Sequence, residues 1–350
     1  MTHHSARLIA SGVTNQALGT TSLQARNAAL SQRDKGQVSM TSRVAVAVAG
    51  VVAVAASLAA AAWAGGPHFS VWAPAQKIDE IAGNSVELNT VALDGCPMES
   101  PDGLSLYIAS NRQGGLGGID IWVARRASRA APWGAPVNPG APINSAANDF
   151  CPTPITGGGL FFVSTRAGFC GSVANADIYF ARRNPAGGWS APKHLACAPG
   201  GPNSTLDEMA PSYAQARLYF SQSSASVAGD LYVSRKRGNM SFGPARPISE
   251  LNDAAANDIQ PNVRKDGREI VFSSNRSGTL GGQDLWISTR RSVAHSWSAP
   301  VNLGSAVNTA AAETRPSFSR DAQTLYFGRA PGPEGSTDIF LSVRKKNTNN

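Results

Sequence analysis

The feature of this sequence that most restricts its fold is a segment that recurs five times along the chain. Each copy places an Asp before a short run of aromatic and aliphatic residues and ends on basic residues, as in GGIDIWVARR and GGQDLWISTRR. The aligned aspartates are Asp120, Asp177, Asp230, Asp284 and Asp338, so successive copies lie 57, 53, 54 and 54 residues apart. A strand-rich repeat with a period of about fifty residues is typical of β-propeller blades.

Each copy contains four segments that we predict to be strands, A to D. A Pro-containing segment precedes an apolar run such as LFFVS, then come the Asp segment and an aromatic segment such as WSAPVNL. The fifth copy ends after strand C, and residues 71–78, VWAPAQKI, match the missing strand D. We therefore predict an all-β fold, a five-bladed β-propeller with four antiparallel strands per blade. The N-terminal strand is expected to close the ring, because an open ring would expose unpaired strand edges. Six blades are the alternative.

The residues before the repeats predict export. Residues 44–62 are an unbroken run of small apolar residues, Arg43 precedes the run, and Ala62-Trp63-Ala64 matches a cleavage site. A membrane anchor is the alternative for this run. We predict a periplasmic or secreted protein without stable membrane insertion after cleavage. The predicted divisions are a disordered leader or mis-assigned start at 1–39, a signal peptide at 40–64, a single propeller domain at 65–346 and a disordered tail at 347–350.

The four cysteines support the same compartment, since an even number is typical of disulfide-bonded exported proteins. Cys96 and Cys151 occupy equivalent places in copies one and two, directly before the Pro of strand A. Cys170 and Cys197 fall in loops that share a face of the predicted ring. We predict the disulfides Cys96–Cys151 and Cys170–Cys197.

The repeat, written P-x-x-S-x-D-G-x-x-L-Y-F-S-S-N-R-x-G-G-x-G-x-x-D-I-W, resembles the TolB-type, WD-repeat-like β-propeller repeat. The resemblance covers about residues 69–346 and is clearest in copies one and four. It implies a propeller of a periplasmic or secreted protein that acts through protein–protein contacts. The best-known member has six blades and an additional α/β domain, whereas this chain has five copies, so that member's partners are not carried over.

The glycine-rich stretches SNRQGGLGGIDIW (110–122) and SNRSGTLGGQDLW (274–286) are similar to phosphate-binding loops. Such loops need a helix after the glycines, and here a strand is predicted instead. We interpret them as structural loops between strands B and C. Their arginines, together with the repeated Asp, are expected to form a polar pair that stabilises the blade; these are Arg112, Arg166, Arg276 and Arg329.

A second series is acidic in every copy. Three residues before the Pro of strand A stand Asp94, Asp149, Glu208, Asp258 and Glu313. Strand A is the innermost strand of a blade, so five carboxylates are expected around one mouth of the channel, most of them paired with a loop Arg. Copy three has no such Arg and adds Asp207. We predict a binding site for a cation or a partner's Lys or Arg at this mouth, centred on Asp207, Glu208 and Asp258.

Two classes of function fit these residues. The first is a non-catalytic module that binds a protein or peptide through the loop-rich channel mouth. It needs no cofactor, and a divalent cation in the channel is the one metal that these residues would suit. The alternative is a glycoside hydrolase or carbohydrate-binding protein, because arabinanase-type glycosidases are five-bladed propellers and two carboxylates can act as acid and base. Beyond residue 64 the chain has 26 basic and 22 acidic residues, an excess too small to indicate nucleic acid.

Overall fold

The computed structural model describes residues 69–168, 170–171 and 175–347. The predictions of a leader and a signal peptide lie outside these residues. The described part of the chain contains no helix that could cross a membrane. It forms two short 3₁₀ helices, Ile78–Glu80 and Val86–Leu88, and the strands β1 (Gln76–Lys77), β2 (Asp94–Glu99), β3 (Ser105–Ser110), β4 (Asp120–Arg125), β5 (Asp149–Ile155), β6 (Gly159–Ser164), β7 (Asp177–Arg182), β8 (Lys193–His194), β9 (Asp207–Ala214), β10 (Arg217–Ser224), β11 (Val227–Arg235), β12 (Arg246–Pro247), β13 (Asp258–Val263), β14 (Glu269–Ser274), β15 (Asp284–Thr289), β16 (Val301–Asn302), β17 (Ala312–Phe318), β18 (Thr324–Ala330) and β19 (Asp338–Val343).

The strands form five antiparallel sheets, which confirms the predicted five-bladed propeller. Blades 2, 3 and 4 are the four-stranded sheets β5–β8, β9–β12 and β13–β16. Blade 1 has only β2, β3 and β4, and a single bridge between Val123 and Val137 stands where strand D was predicted. Blade 5 consists of β17, β18 and β19, completed by β1. The fourth strand is short in every blade that has one, because it is the outermost and packs least.

The ring closes as the sequence predicted. Strand β1 pairs antiparallel with β19, with Gln76 opposite Leu341 and Lys77 opposite Phe340. The first and last strands of the domain therefore share one sheet, and neither end leaves an unpaired edge in the ring.

The A strands surround the axis. They contact one another in the cyclic order β2, β5, β9, β13, β17 and back to β2. Side chains connect them: Ser317 Oγ donates to the Pro97 carbonyl, and Ser212 Oγ accepts from Val263 N at 2.9 Å. Each A strand has a bulge next to its Pro, which cannot donate to the ladder. The residue before each Pro takes a positive φ of 47° to 58°; these are Cys96, Cys151, Ala210, Gln260 and Arg315.

Both predicted disulfides are confirmed. Cys96–Cys151 joins the bulges of blades 1 and 2 across a Cα–Cα distance of 4.8 Å, and Cys170–Cys197 spans 5.5 Å in the loops of blade 2. The first bond was the harder one to predict, because adjacent A strands must approach closely enough for a disulfide. The bulges provide that approach.

The core lies between the blades. Five apolar clusters fill the five junctions between neighbouring sheets, and a sixth surrounds the Cys96–Cys151 disulfide. The B strands read as continuous apolar runs because both of their faces are covered; Phe161 and Phe162 on β6 are fully buried on opposite faces. Complete burial of each such side chain contributes about 2–3 kcal/mol.

Candidate functional site at the channel mouth

Four of the five acidic residues of the A strands form buried ion pairs. Asp94, Asp149, Asp258 and Glu313 have no solvent exposure. Each carboxylate binds an arginine of its own blade: Arg112 with Asp94, Arg166 with Asp149, Arg276 with Asp258 and Arg329 with Glu313. A buried carboxylate needs such a partner, because an unpaired charge costs several kcal/mol. These groups therefore do not form an open acidic ring.

A motif that our sequence reasoning missed holds these acids in place. The Asn of Asn-(Ser/Thr/Asp)-x₃₋₄-(Asp/Glu) exchanges two hydrogen bonds with strand C; Asn144 accepts from Ile121 N at 2.9 Å and donates to Ile121 O at 2.8 Å. The next residue caps the acid, and both the amide and the hydroxyl of Ser145 donate to Asp149 at 2.7 Å. The five asparagines are Asn89, Asn144, Asn203, Asn252 and Asn308. Their spacing before each acid was the available signal.

The predicted pair between the loop arginine and the strand C aspartate is wrong. The arginine binds the acid of strand A instead, and the strand C aspartate holds the B–C loop. Asp284 Oδ2 accepts from Leu280 N at 2.7 Å and from Asn302 Nδ2 at 2.7 Å. These short-range bonds fix the loop tip.

The glycines of the same loop permit a close contact between blades. A Cβ added at Gly281 would lie 2.0 Å from the Ala311 carbonyl oxygen, and one at Gly117 would lie 1.9 Å from that of Ala147. The B–C loops of blades 1 and 4 thus rest directly on the backbone of the loop that leads into the next blade. This geometry is that of a structural loop, and a strand follows it instead of a helix N-terminus.

Glu208, the acid of blade 3, has no arginine partner among the residues that the structure describes. Gln222 Nε2 donates to its carboxyl at 3.0 Å, from the β10 position where blades 1, 2 and 4 carry Ser. The carboxyl is fully buried beside Asp177. Burial first, and then the neighbouring Asp177, raise the pKa of Glu208 to about 8. At neutral pH the carboxyl of Glu208 is therefore mostly protonated.

Asp177 also contacts a histidine. His194 Nε2 lies 2.8 Å from Asp177 Oδ2, and Asn203 Nδ2 lies 3.1 Å from the same His194 nitrogen. Cys170 and Cys197 are adjacent, and their sulfurs and a His194 nitrogen lie within 4.8 Å of one another. The two sulfurs form a disulfide, so they supply no thiolate and the cluster is not a metal centre in this form.

The other residues of the predicted centre differ in their surroundings. Asp207 accepts a hydrogen bond from Ala176 N at 2.8 Å, as Asn148 does from Ile119 N in the preceding junction. Asp258 is neutralised by Arg276. Within the described residues, no hydrogen bond or ion pair reaches the half-exposed carboxylate of Asp230.

Asp230 is thus the unpaired acid at the mouth of blade 3, where we had expected Glu208. Burial raises the pKa of Asp230, and the charge of Asp258 adds to the effect. Two sequence signals distinguish it: its loop has no Arg, and Pro247 stands where blades 2 and 4 place His194 and Asn302.

The same face exposes apolar side chains at its loop tips. Leu116 and Leu280 in two B–C loops are 48% and 50% exposed, and Val227 at the start of β11 is 48% exposed. Val91 in the loop before blade 1 is 90% exposed. With most of its carboxylates buried and paired, this loop face presents apolar tips and little free charge.

The acids of the A strands are not arranged as the accessible pair that glycoside hydrolysis needs. A glycosidase places two accessible carboxyl groups about 5–10 Å apart on either side of the bond. The A-strand acids, Glu208 among them, are fully buried. In this conformation none of these carboxyl groups can reach a sugar.

Comparisons with known proteins agree on the fold. No family model matches the chain, and no curated protein matches it. Among solved structures, an endo-arabinase from Bacteroides thetaiotaomicron is similar with a TM-score of 0.50 and 14% identity, covering 80% of this chain and 99% of that one. A GH43 endo-arabinanase from Bacillus licheniformis has a TM-score of 0.49 and 12% identity, over 74% and 97% of the two chains.

A TolB structure from Acinetobacter baumannii is also similar, with a TM-score of 0.43 and 14% identity. It covers 71% of this chain, which spans about half (53%) of the TolB chain. At these identities the likeness shows a shared propeller fold. Membership of the TolB-type repeat family stays a prediction from the repeat pattern.

Proposed function

We propose that this chain is an exported β-propeller that binds a protein partner through its loop face. The observation that carries the proposal is the set of exposed apolar tips, Leu116, Val227, Leu280 and Val91, on a face whose acids are largely buried in ion pairs. The core of a protein interface is similarly apolar and poor in charge. Two disulfides in the domain support a periplasmic or secreted location.

Asp230 gives this surface a point of specificity. Its carboxylate lies on the same hairpin as the exposed Val227 and has no cation of its own. A Lys or Arg of the partner, desolvated by the surrounding apolar tips, would form a stronger hydrogen bond there than in open solvent.

The test compares two double variants that each replace two exposed aliphatic side chains with Ser. Leu116→Ser/Leu280→Ser removes two tips of the loop face, whereas Val137→Ser/Val301→Ser removes two exposed valines at the outer edges of blades 1 and 4. Cross-linked capture from the native envelope should retain the same protein with wild type and the valine variant and lose it with the leucine variant. Capture that is unaffected by the leucine changes would contradict the proposal.

Glycoside hydrolysis is the second candidate, supported by one specific observation. Glu208 has a pKa raised to about 8, which is the property of a general acid at neutral pH. Its carboxyl is buried, so hydrolysis would require a conformation in which this carboxyl is exposed to the sugar. The test is release of reducing ends from a panel of neutral and acidic oligosaccharides by wild type and Glu208→Gln. Hydrolysis by wild type that disappears in Glu208→Gln would establish this function in place of simple binding.

A further inference from the structure

A groove between blades 3 and 4 lies at the end of the molecule opposite the loop face. It has a volume of about 680 Å³ and is lined by six basic side chains, Arg217, Arg235, Lys236, Arg237, Arg246 and Arg290; we name it the basic groove. Glu250 is the one acidic residue in its lining. The volume lies within the range of about 300–1,000 Å³ that ligand pockets occupy.

The basic groove originates in the repeat, because strand C of every blade is followed by basic residues. In blades 1, 2, 4 and 5 one arginine stacks on an aromatic ring of the outer segment: Arg126 on Trp133 at 3.9 Å, Arg183 on Trp189 at 4.5 Å, Arg290 on Trp297 at 3.9 Å and Arg344 on Trp72 at 4.3 Å. These stacked arginines are part of the packing. A basic residue near the end of strand C that does not stack on this ring can extend into solvent.

Blade 3 has the most of these additional charges. Arg235, Lys236 and Arg237 follow its strand C in succession, Arg246 lies on its strand D, and all four are exposed. Within the described residues their side chains make no ion pair and no hydrogen bond. Four unpaired cations along one groove raise the local positive potential far above that of the chain as a whole.

The positive charge at the floor of the groove also lacks an acidic partner, as a comparison with the junction between blades 5 and 1 shows. Between blades 5 and 1, Glu99 accepts from both Tyr326 Oη and Arg126 Nη2 at 3.1 Å. Between blades 3 and 4, Arg290 Nη2 donates directly to Tyr219 Oη at 2.7 Å. The residue equivalent to Glu99, two positions after the strand A Pro, is Val263.

The buried guanidinium of Arg290 therefore has no carboxylate where the other junction supplies one. Arg217 is held beside it by the carbonyls of Val293 and Gln215. Two arginines fixed in place without an acid form a preorganised floor for an anion.

We propose that the basic groove binds an acidic oligosaccharide, a chain of carboxylate-bearing sugars. The charged side chains of the lining are six cations and one carboxylate, which suits a ligand that bears carboxylates. Guanidinium groups bind carboxylates through paired hydrogen bonds. Single-stranded nucleic acid fits less well, because the aromatic rings of the groove, Tyr219 and Trp297, are buried and offer no face for base stacking.

The experiment measures binding of oligogalacturonate of four to eight residues by titration calorimetry, with a neutral galactose oligomer of equal length as the ligand control. Arg235→Ala/Lys236→Ala/Arg237→Ala should weaken binding by about tenfold or more, since each lost charge-assisted hydrogen bond reduces affinity. The protein control is Arg125→Ala/Arg182→Ala/Lys345→Ala, which removes three exposed charges outside the groove. It should change affinity by less than about twofold.

A second variant tests the floor without removing a cation. Val263→Glu restores the carboxylate that Glu99 supplies in the junction between blades 5 and 1 and should neutralise Arg290, so it should also weaken binding while keeping the fold. The proposal would be overturned if the two triple variants lost affinity for oligogalacturonate equally, or if oligogalacturonate did not bind at all. It would also be overturned if oligo(dT) or poly-glutamate bound more tightly than the sugar acid. Because the loop face lies at the opposite end, the leucine variant of that face should leave this binding unchanged.

Discussion

Replacing Glu208 with Gln should abolish a specific part of the pH dependence of stability. The folded protein raises the pKa of this carboxyl from 4.5 to about 8, chiefly through burial and then through Asp177. The folded state thus holds the proton more tightly than the unfolded state. The stabilising contribution is complete below pH 4.5, declines as the pH rises, and is lost above pH 8.

The magnitude follows from the size of the shift. Each pKa unit corresponds to about 1.4 kcal/mol, so ionising Glu208 penalises the folded state by about 3–5 kcal/mol. Gln keeps a neutral group that can donate to Asp177. The variant should match wild type near pH 5 and exceed it by several kcal/mol near pH 9.

The assay is urea unfolding of wild type and Glu208→Gln at pH 5, 6, 7, 8 and 9, with the disulfides intact. Asp207→Asn is the matched control, since it removes the adjacent half-exposed carboxylate and leaves the contact between Glu208 and Asp177 in place. If the free energies of unfolding of wild type and Glu208→Gln differ by the same amount at every pH, the raised pKa of Glu208 is refuted.

Two further predictions concern the frame of the loop face. Gly281→Ala should destabilise the domain by about 2 kcal/mol or more, because its Cβ would lie 2.0 Å from a carbonyl of the next loop, whereas Gly282→Ala, with 3.7 Å to its nearest neighbour, should be close to neutral in thermal unfolding. Arg276→Met should cost about 3–5 kcal/mol by leaving Asp258 as a buried, unpaired carboxylate. Adding Asp258→Asn should recover part of that loss in a double-mutant cycle, and equal stability of the single and double variants would show that the ion pair is not the cause.

The sequence by itself determined the number of blades, the closure of the ring and both disulfides. These features follow from the repeat itself. A repeat of about 54 residues places equivalent strands at the same distance from the axis. Cys96 and Cys151 hold equivalent positions in neighbouring blades, so they lie side by side near the axis. The expectation that most A-strand acids pair with arginines follows from the cost of burying a lone charge. The Asn-(Ser/Thr/Asp) motif was also present in the sequence and was missed because its partners lie on a different strand.

Only the tertiary structure decided which charges remain free. Residues that look alike in the repeat differ in what the neighbouring blade places beside them. Burial and Asp177 raise the pKa of Glu208, Asp230 has no partner among the described residues, and Arg290 lacks the acid that Arg126 has. The modest net charge of the chain likewise conceals a groove with six cations. Electrostatic and desolvation energies depend on distances of a few ångströms across blade junctions, and those distances are properties of the packed ring.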